Sequence, residues 1–257
     1  MTMPPGWPGC TGRSGRGWNR GTMLESGNML IAWLDASRLK SLLPIIGLSV
    51  ILSASLTIAA HYLRPASHWL IYVFKPLTTL LILAAALLPQ TFLTDPYAGA
   101  ITLGLLFSLA GDIWLMLPSN RFLYGLASFL LAHVCYLSAF LISAPGHGFL
   151  WPLLPLSLIG AVVLGYLWPA LPAGLRAPVS LYVAVIVAMA ASAVSRAMTF
   201  FALSALVAAI GALLFFASDA VLAINRFRRP FHLAHAVVLA SYFAGQLMIS
   251  FSIGLTT

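Results

Sequence analysis

Residues Leu105–Leu117 read LLFSLAGDIWLML, an apolar run with one carboxylate, Asp112, set inside it. A charged Asp in hydrocarbon costs at least ~3 kcal/mol on insertion scales, so a membrane segment that keeps one has work for it by default. Leu213–Ile224, LLFFASDAVLAI, is a second such run and carries Asp219. The chain has five acidic residues, and the other three, Glu25, Asp35 and Asp95, lie outside the apolar runs.

The composition places these runs in a bilayer. Of 257 residues, 61% are hydrophobic and 7% charged, against ~25% charged in soluble domains. Five basic residues precede the first apolar run, and six (Arg64, Arg121, Arg176, Arg226, Arg228 and Arg229) sit in the short breaks between runs. That is the distribution of membrane anchors; a nucleic-acid binder clusters its cations on one polar face. The net charge of +8 therefore reads as loop bias and contact with anionic lipid. Cys10 lies in the polar head and Cys135 inside an apolar run, so no disulfide is expected.

A spanning helix needs about 20 mostly apolar residues. Eight runs qualify: Leu42–His61, Trp69–Leu88, Ala98–Leu117, Phe122–Ser143, Phe149–Trp168, Pro178–Val194, Phe200–Ile224 and His232–Gly254. Pro and Arg punctuate them, at Arg64-Pro65, Pro89, Pro118 to Arg121, Pro145, Pro169 to Arg176, Ser195-Arg196 and Asn225 to Pro230. Short loops predict an all-α integral membrane protein, with about eight helices in an antiparallel up-down bundle. Residues 1–28, rich in Gly, Arg and Pro with no apolar core, are not a signal peptide. They are read as a disordered head or the product of an upstream start codon, leaving 29–257 as a single transmembrane domain. Eight spans put both termini on one side, with Arg38, Lys40 and Arg196; the six loop arginines on the other side favour that side as cytoplasmic. Arg13, Arg16 and Arg20 of the head would even the count.

A shift of 107 residues lays Gly104-LLFSLAG-Asp112 on Gly211-ALLFFAS-Asp219. Helix three falls on seven and helix four on eight, which would be a parallel 4+4 internal repeat. Chance alignment of Leu- and Ala-rich helices is the competing explanation.

The polar residues share a depth. Asp112 and Asp219 each lie about five residues before the end of their run, ~7–8 Å inside the boundary. Helices three and seven run the same way, so both carboxylates face one side. Lys75, His133, Tyr242 and Gln246 enter from that same side on helices two, four and eight. These six residues can line one polar cavity. Each auxiliary residue also has a plain structural role open to it: Lys75 can snorkel, His133 can bond a neighbouring carbonyl, and Tyr242 and Gln246 can join helices. For the Asp pair, packing alone is a poor explanation of two costly groups.

Two carboxylates in a dry cleft take different protonation states, one serving as acid and the other as base or charge stabiliser. Such a pair suits acid-catalysed cleavage through an oxocarbenium-like state. Metal binding is the rival use, but the chain has no His-x-x-x-His or Cys-x-x-Cys; His232-x-x-His235 at a helix mouth is the one zinc candidate. No Gly-x-Ser-x-Gly elbow of a serine lipase occurs. A small proton-coupled carrier also uses intramembrane Asp, Lys and His.

At these residues the chain resembles the YhhN-like membrane proteins, the lysoplasmalogenase family. The matching pieces are VFKPLTT at 73–79, GLLFSLAGD at 104–112, FLLAH at 129–133 with Tyr136, LFFASD at 214–219 and SYFAGQ at 241–246. They fall in order on helices two, three, four, seven and eight. The resemblance implies a multipass cell-membrane hydrolase, with no cofactor or metal, that cleaves the vinyl ether of a lysophospholipid. The products are a fatty aldehyde and a glycerophospho-ethanolamine or -choline. It implies Asp112 and Asp219 as catalytic residues. Lys75, His133, Tyr242 and Gln246 would bind substrate and water. The alternatives are the carrier or a hydrolase of another lysolipid. Head-group preference, leaflet and oligomeric state are not readable from the chain.

Overall fold

Asp95 starts the helix that carries Asp112. In the computed structural model its carboxylate accepts the Tyr97 backbone N–H at 2.9 Å, with Pro96 in the first turn, where a missing N–H costs nothing. The structure describes residues 20–62, 69–117, 121–143 and 150–255, with side chains of the first helix described from Ser41 onward. The head expected at residues 1–28 lies outside that side-chain description. Leu42–Thr257 form one compact unit.

Eight helices follow in order: α1 (Arg20–Tyr62), α2 (Trp69–Leu87), α3 (Pro96–Met116), α4 (Phe122–Ile142), α5 (Leu150–Leu167), α6 (Ala173–Phe200), α7 (Leu203–Phe227) and α8 (Ala234–Gly254). All eight contain a stretch long and apolar enough to cross a membrane, in α1 the part Ser41–Tyr62. Among the described residues there is no strand. The chain is a multi-pass membrane protein, as its composition predicts.

Two boundaries differ from those expected. α6 runs 28 residues, not the short Pro178–Val194 segment, and passes straight through Ser195-Arg196. The reason is that Arg196 turns inward. It is only 6% exposed, with its guanidinium 4.7 Å from the centre of the Tyr97 ring and one of its nitrogens 3.5 Å from the Tyr97 hydroxyl. An arginine read as loop punctuation is part of the core. The helix ends instead at Phe201, which takes a left-handed conformation with φ 48°. α7 likewise continues through Asn225 and Arg226 to Phe227.

α3 packs most closely on α4, and α7 on α8. Glycines permit both contacts. A Cβ at Gly211 would meet the Gly245 carbonyl oxygen at 2.7 Å, and one at Gly245 would meet the Gly211 oxygen at 2.7 Å, the close approach that small residues give membrane helices. On α3, Gly104 lies against the Tyr136 ring and Gly111 against Phe129. α2 packs on α3 and α8, while α6 packs on α7 and α4. Adding four to each helix number turns the first set of partners into the second, counting α12 as α4. Other pairs, α5 on α6 and α3 on α8, have no counterpart of similar extent at that shift among the described residues. α1 and α5 are the least covered spans, with 17% of each span's most apolar window buried against 50% for α6 and α8. α1 leans on α2 through Ser53, whose hydroxyl lies 2.7 Å from that of Thr78.

Candidate active site

Asp112 sits on the face of α3 turned to α2 and α8 and is 1% exposed. A carboxylate there must be matched by donors or it is prohibitively costly. Three side chains supply them. Lys75 Nζ lies 3.1 Å from Oδ1. The Thr79 hydroxyl donates to Oδ2 at 2.6 Å, and the Tyr242 hydroxyl donates to the same oxygen at 2.8 Å. Lys75 and Thr79 are four residues apart on α2, so they share a helix face. The pairing settles one open question: Lys75 engages the carboxylate.

Asp219 is held differently. The Tyr182 hydroxyl of α6 donates to its Oδ2, and His133 Nε2 of α4 lies 3.8 Å from that oxygen. No lysine or arginine pairs with it among the described residues. His133 is fully buried, and its Nδ1 is 2.6 Å from the Phe129 carbonyl oxygen. A carbonyl can only accept, so Nδ1 carries a hydrogen, and Nε2 is an acceptor whenever the ring is neutral. Nε2 has no hydrogen-bond partner.

Gln246 joins neither carboxylate. Its Oε1 accepts the Tyr136 hydroxyl at 2.6 Å, Ser108 lies 3.4 Å from that hydroxyl, and Gln246 Nε2 is unpartnered. The six residues expected around one cavity therefore divide into two polar nests and a bridge. Lys75, Asp112 and Tyr242 form the first nest, His133 and Asp219 the second, and Gln246 the bridge to Tyr136. Phe215 stands between the nests, its ring centre 4.6 Å from that of His133 and 5.2 Å from that of Tyr242.

The carboxylates also differ in their distance from a helix end. Asp112 is four residues from the end of α3 and Asp219 eight from the end of α7, ~6 Å and ~12 Å along the axis. The expected match assumed that α7 stops at Ile224.

Two site residues escape a reading of the chain alone. Thr79 was inside a quoted motif but resembles any membrane threonine. Tyr182 looks like an interfacial tyrosine, yet the 107-residue shift lays it on Lys75, and each of the two touches the Asp of its own half. The repeat, pressed further, would have found it.

An apolar groove runs beside the second nest, between α4, α5, α6 and α7, with a volume of about 770 Å³ including its open mouth. Tyr182, Asp219, Phe129, Ile186, Arg226 and Phe227 are among the side chains that line it. Of the two histidines of the zinc candidate, His235 stacks on His61 and the His232 ring lies tilted 5.1 Å from that of Tyr62. No three His, Cys, Asp or Glu side chains converge as a metal site among the described residues.

Comparison with known proteins matches residues 70–253 to the YhhN family. The membrane protein YhhN of Escherichia coli O6:H1 is 35% identical over 205 residues, covering 79% of this chain and 95% of its own. A bovine protein named lysoplasmalogenase TMEM86A is 32% identical over 62% of this chain and 67% of its own. A Mycobacterium bovis protein named lysoplasmalogenase is 30% identical over 57% of each. No solved structure matches.

Proposed function

The chain belongs to the YhhN family, and from that premise we propose that it hydrolyses the vinyl-ether bond of a lysoplasmalogen within the membrane. Relatives named lysoplasmalogenase support the substrate class. The observation that carries the chemistry is the unequal setting of the two carboxylates. Asp112 has a cation and two hydroxyl donors, the surroundings of an ionised group. Asp219 has a phenol and an imidazole and, among the described residues, no lysine or arginine, and we assign it the proton of the pair.

In this reading Asp219 is the acid. It gives its proton to the outer vinyl carbon, leaving an oxocarbenium ion at the carbon bound to oxygen. Water adds to that carbon, and His133 Nε2, 3.8 Å from Asp219 and an acceptor while the ring is neutral, takes the water's proton and returns it to the carboxylate. The resulting hemiacetal breaks its carbon–oxygen bond, passing the hydroxyl proton to the leaving glycerol oxygen. One water is consumed, and a fatty aldehyde and a glycerophospholipid head are released. Tyr182 fixes the acid's position. Asp112, held by Lys75, supplies a fixed negative charge across Phe215 as positive charge develops, and Tyr242 and Gln246 hold the wall around it.

The test is aldehyde release from a 1-alkenyl lysophospholipid by purified protein in detergent. Asp219→Asn is expected to lose at least about 10²–10⁴-fold, the usual worth of a positioned general acid. Undiminished release by a folded Asp219→Asn protein would remove Asp219 from the role. No aldehyde from folded wild type would remove the reaction itself.

A further inference from the structure

Resting on that reading, we propose that Arg226 is the contact for the phosphate of the lipid substrate and sets the register that brings the cleavable bond to Asp219. The groove between α4 and α7 is apolar along its walls apart from three side chains: Tyr182, Asp219 and Arg226. Arg226 lies seven residues beyond Asp219 on α7. Seven residues are almost two helical turns, so both side chains fall on one stripe, with ~10.5 Å of axial rise between them.

Phe122 fixes where the charge sits. The Arg226 guanidinium carbon lies 4.1 Å from the centre of that ring, a distance at which the ring face attracts a cation. The guanidinium plane offers hydrogens in a fork that matches phosphate oxygens. The groove thus presents a cation near the end of α7 and an acid with a phenol two helical turns further in, among apolar side chains.

A single-chain glycerophospholipid has the same sequence of chemistry. Its phosphorus and its sn-1 ether oxygen are about 6 Å apart in an extended glycerol. With the phosphate against the guanidinium, that spacing covers part of the ~10.5 Å of axial rise to Asp219 and leaves the chain to the apolar lining. The occupant so defined is an amphiphile with an anionic phosphodiester head, a polar junction next to it and one apolar chain.

The experiment compares two substrates on full-length protein in detergent: 1-alkenyl-lysophosphatidylethanolamine and the uncharged 1-alkenylglycerol. Arg226→Gln is expected to lower the kcat/KM preference for the phosphate-bearing lipid by about tenfold or more, through KM, with Arg226→Lys intermediate. An unchanged preference overturns the proposal, because a general defect lowers both substrates together. A second readout is independent of cleavage. Binding of the non-cleavable 1-alkyl lysophospholipid and of 1-alkylglycerol is followed by tryptophan fluorescence in the same micelles. If wild type cleaves neither substrate but Arg226→Gln still loses preference for the charged ligand, the reaction fails and the phosphate contact stands. If both proteins bind the two ligands in the same ratio, the contact fails.

Discussion

At the scale of single residues, Asp112 and Lys75 form the costliest contact in the molecule. A buried ion pair is strongly destabilising to break from one side, about 3–5 kcal/mol, because the surviving charge is stranded. Lys75→Met is therefore expected to lower the thermal unfolding midpoint in detergent far more than Lys75→Met combined with Asp112→Asn. If the double variant is no more stable than the single, the pair is not held as an ion pair. Tyr182→Phe removes the hydroxyl donated to Asp219 with little change of shape. It is expected to slow aldehyde release about 10-fold, with circular dichroism unchanged. The two carboxylates were legible in the chain because charge in an apolar run is rare. Their partners were only half legible: Lys75 and Tyr242 stood out as polar residues at the right depth. Thr79 and Tyr182 are residue types that membrane helices carry for many reasons, and only the fold gives them a partner.

At the scale of helices, apolar length identified every span, and errors fell where an arginine was taken as an end signal. Arg196 has an aromatic face to lie on, so α6 pays no penalty for carrying it inward. Arg226 likewise rests on Phe122 within α7. An arginine with an aromatic face to lie on can stay inside a helix, and one sequence does not tell which rings are near. The tightest element contact is α7 on α8, where neither glycine has room for a side chain. Gly245→Val must push the helices apart against the Gly211 carbonyl. It is expected to cost about 1–3 kcal/mol, read as a lower unfolding midpoint, whereas Gly165→Val on α5, with nothing near its Cβ direction, should leave the midpoint in place. Equal effects at both positions would contradict the packing described.

At the scale of the whole molecule, the inward turn of Arg196 sharpens the charge asymmetry between the bundle's two ends. One end carries Arg121, Arg176, Arg226 and Arg228, each over an aromatic ring. Arg196 no longer counts as a flanking charge at the other. On the positive-inside rule we expect the arginine-rich end in the cytoplasm. Arg229→Cys in a background lacking Cys10 and Cys135 is expected to react with an impermeant maleimide only after the cells are opened; labelling of intact cells would reverse the orientation. Each half of the chain carries one of the two carboxylates, Asp112 on α3 and Asp219 on α7. The account turns on that second carboxylate delivering a proton to carbon. The most direct measurement is the mass of the fatty aldehyde formed from a 1-alkenyl lysophospholipid in deuterium oxide. The account predicts one deuterium at the carbon next to the aldehyde, formed by wild type and lost with Asp219→Asn. Aldehyde without deuterium at that carbon, or labelled aldehyde made equally well by the variant, would contradict it.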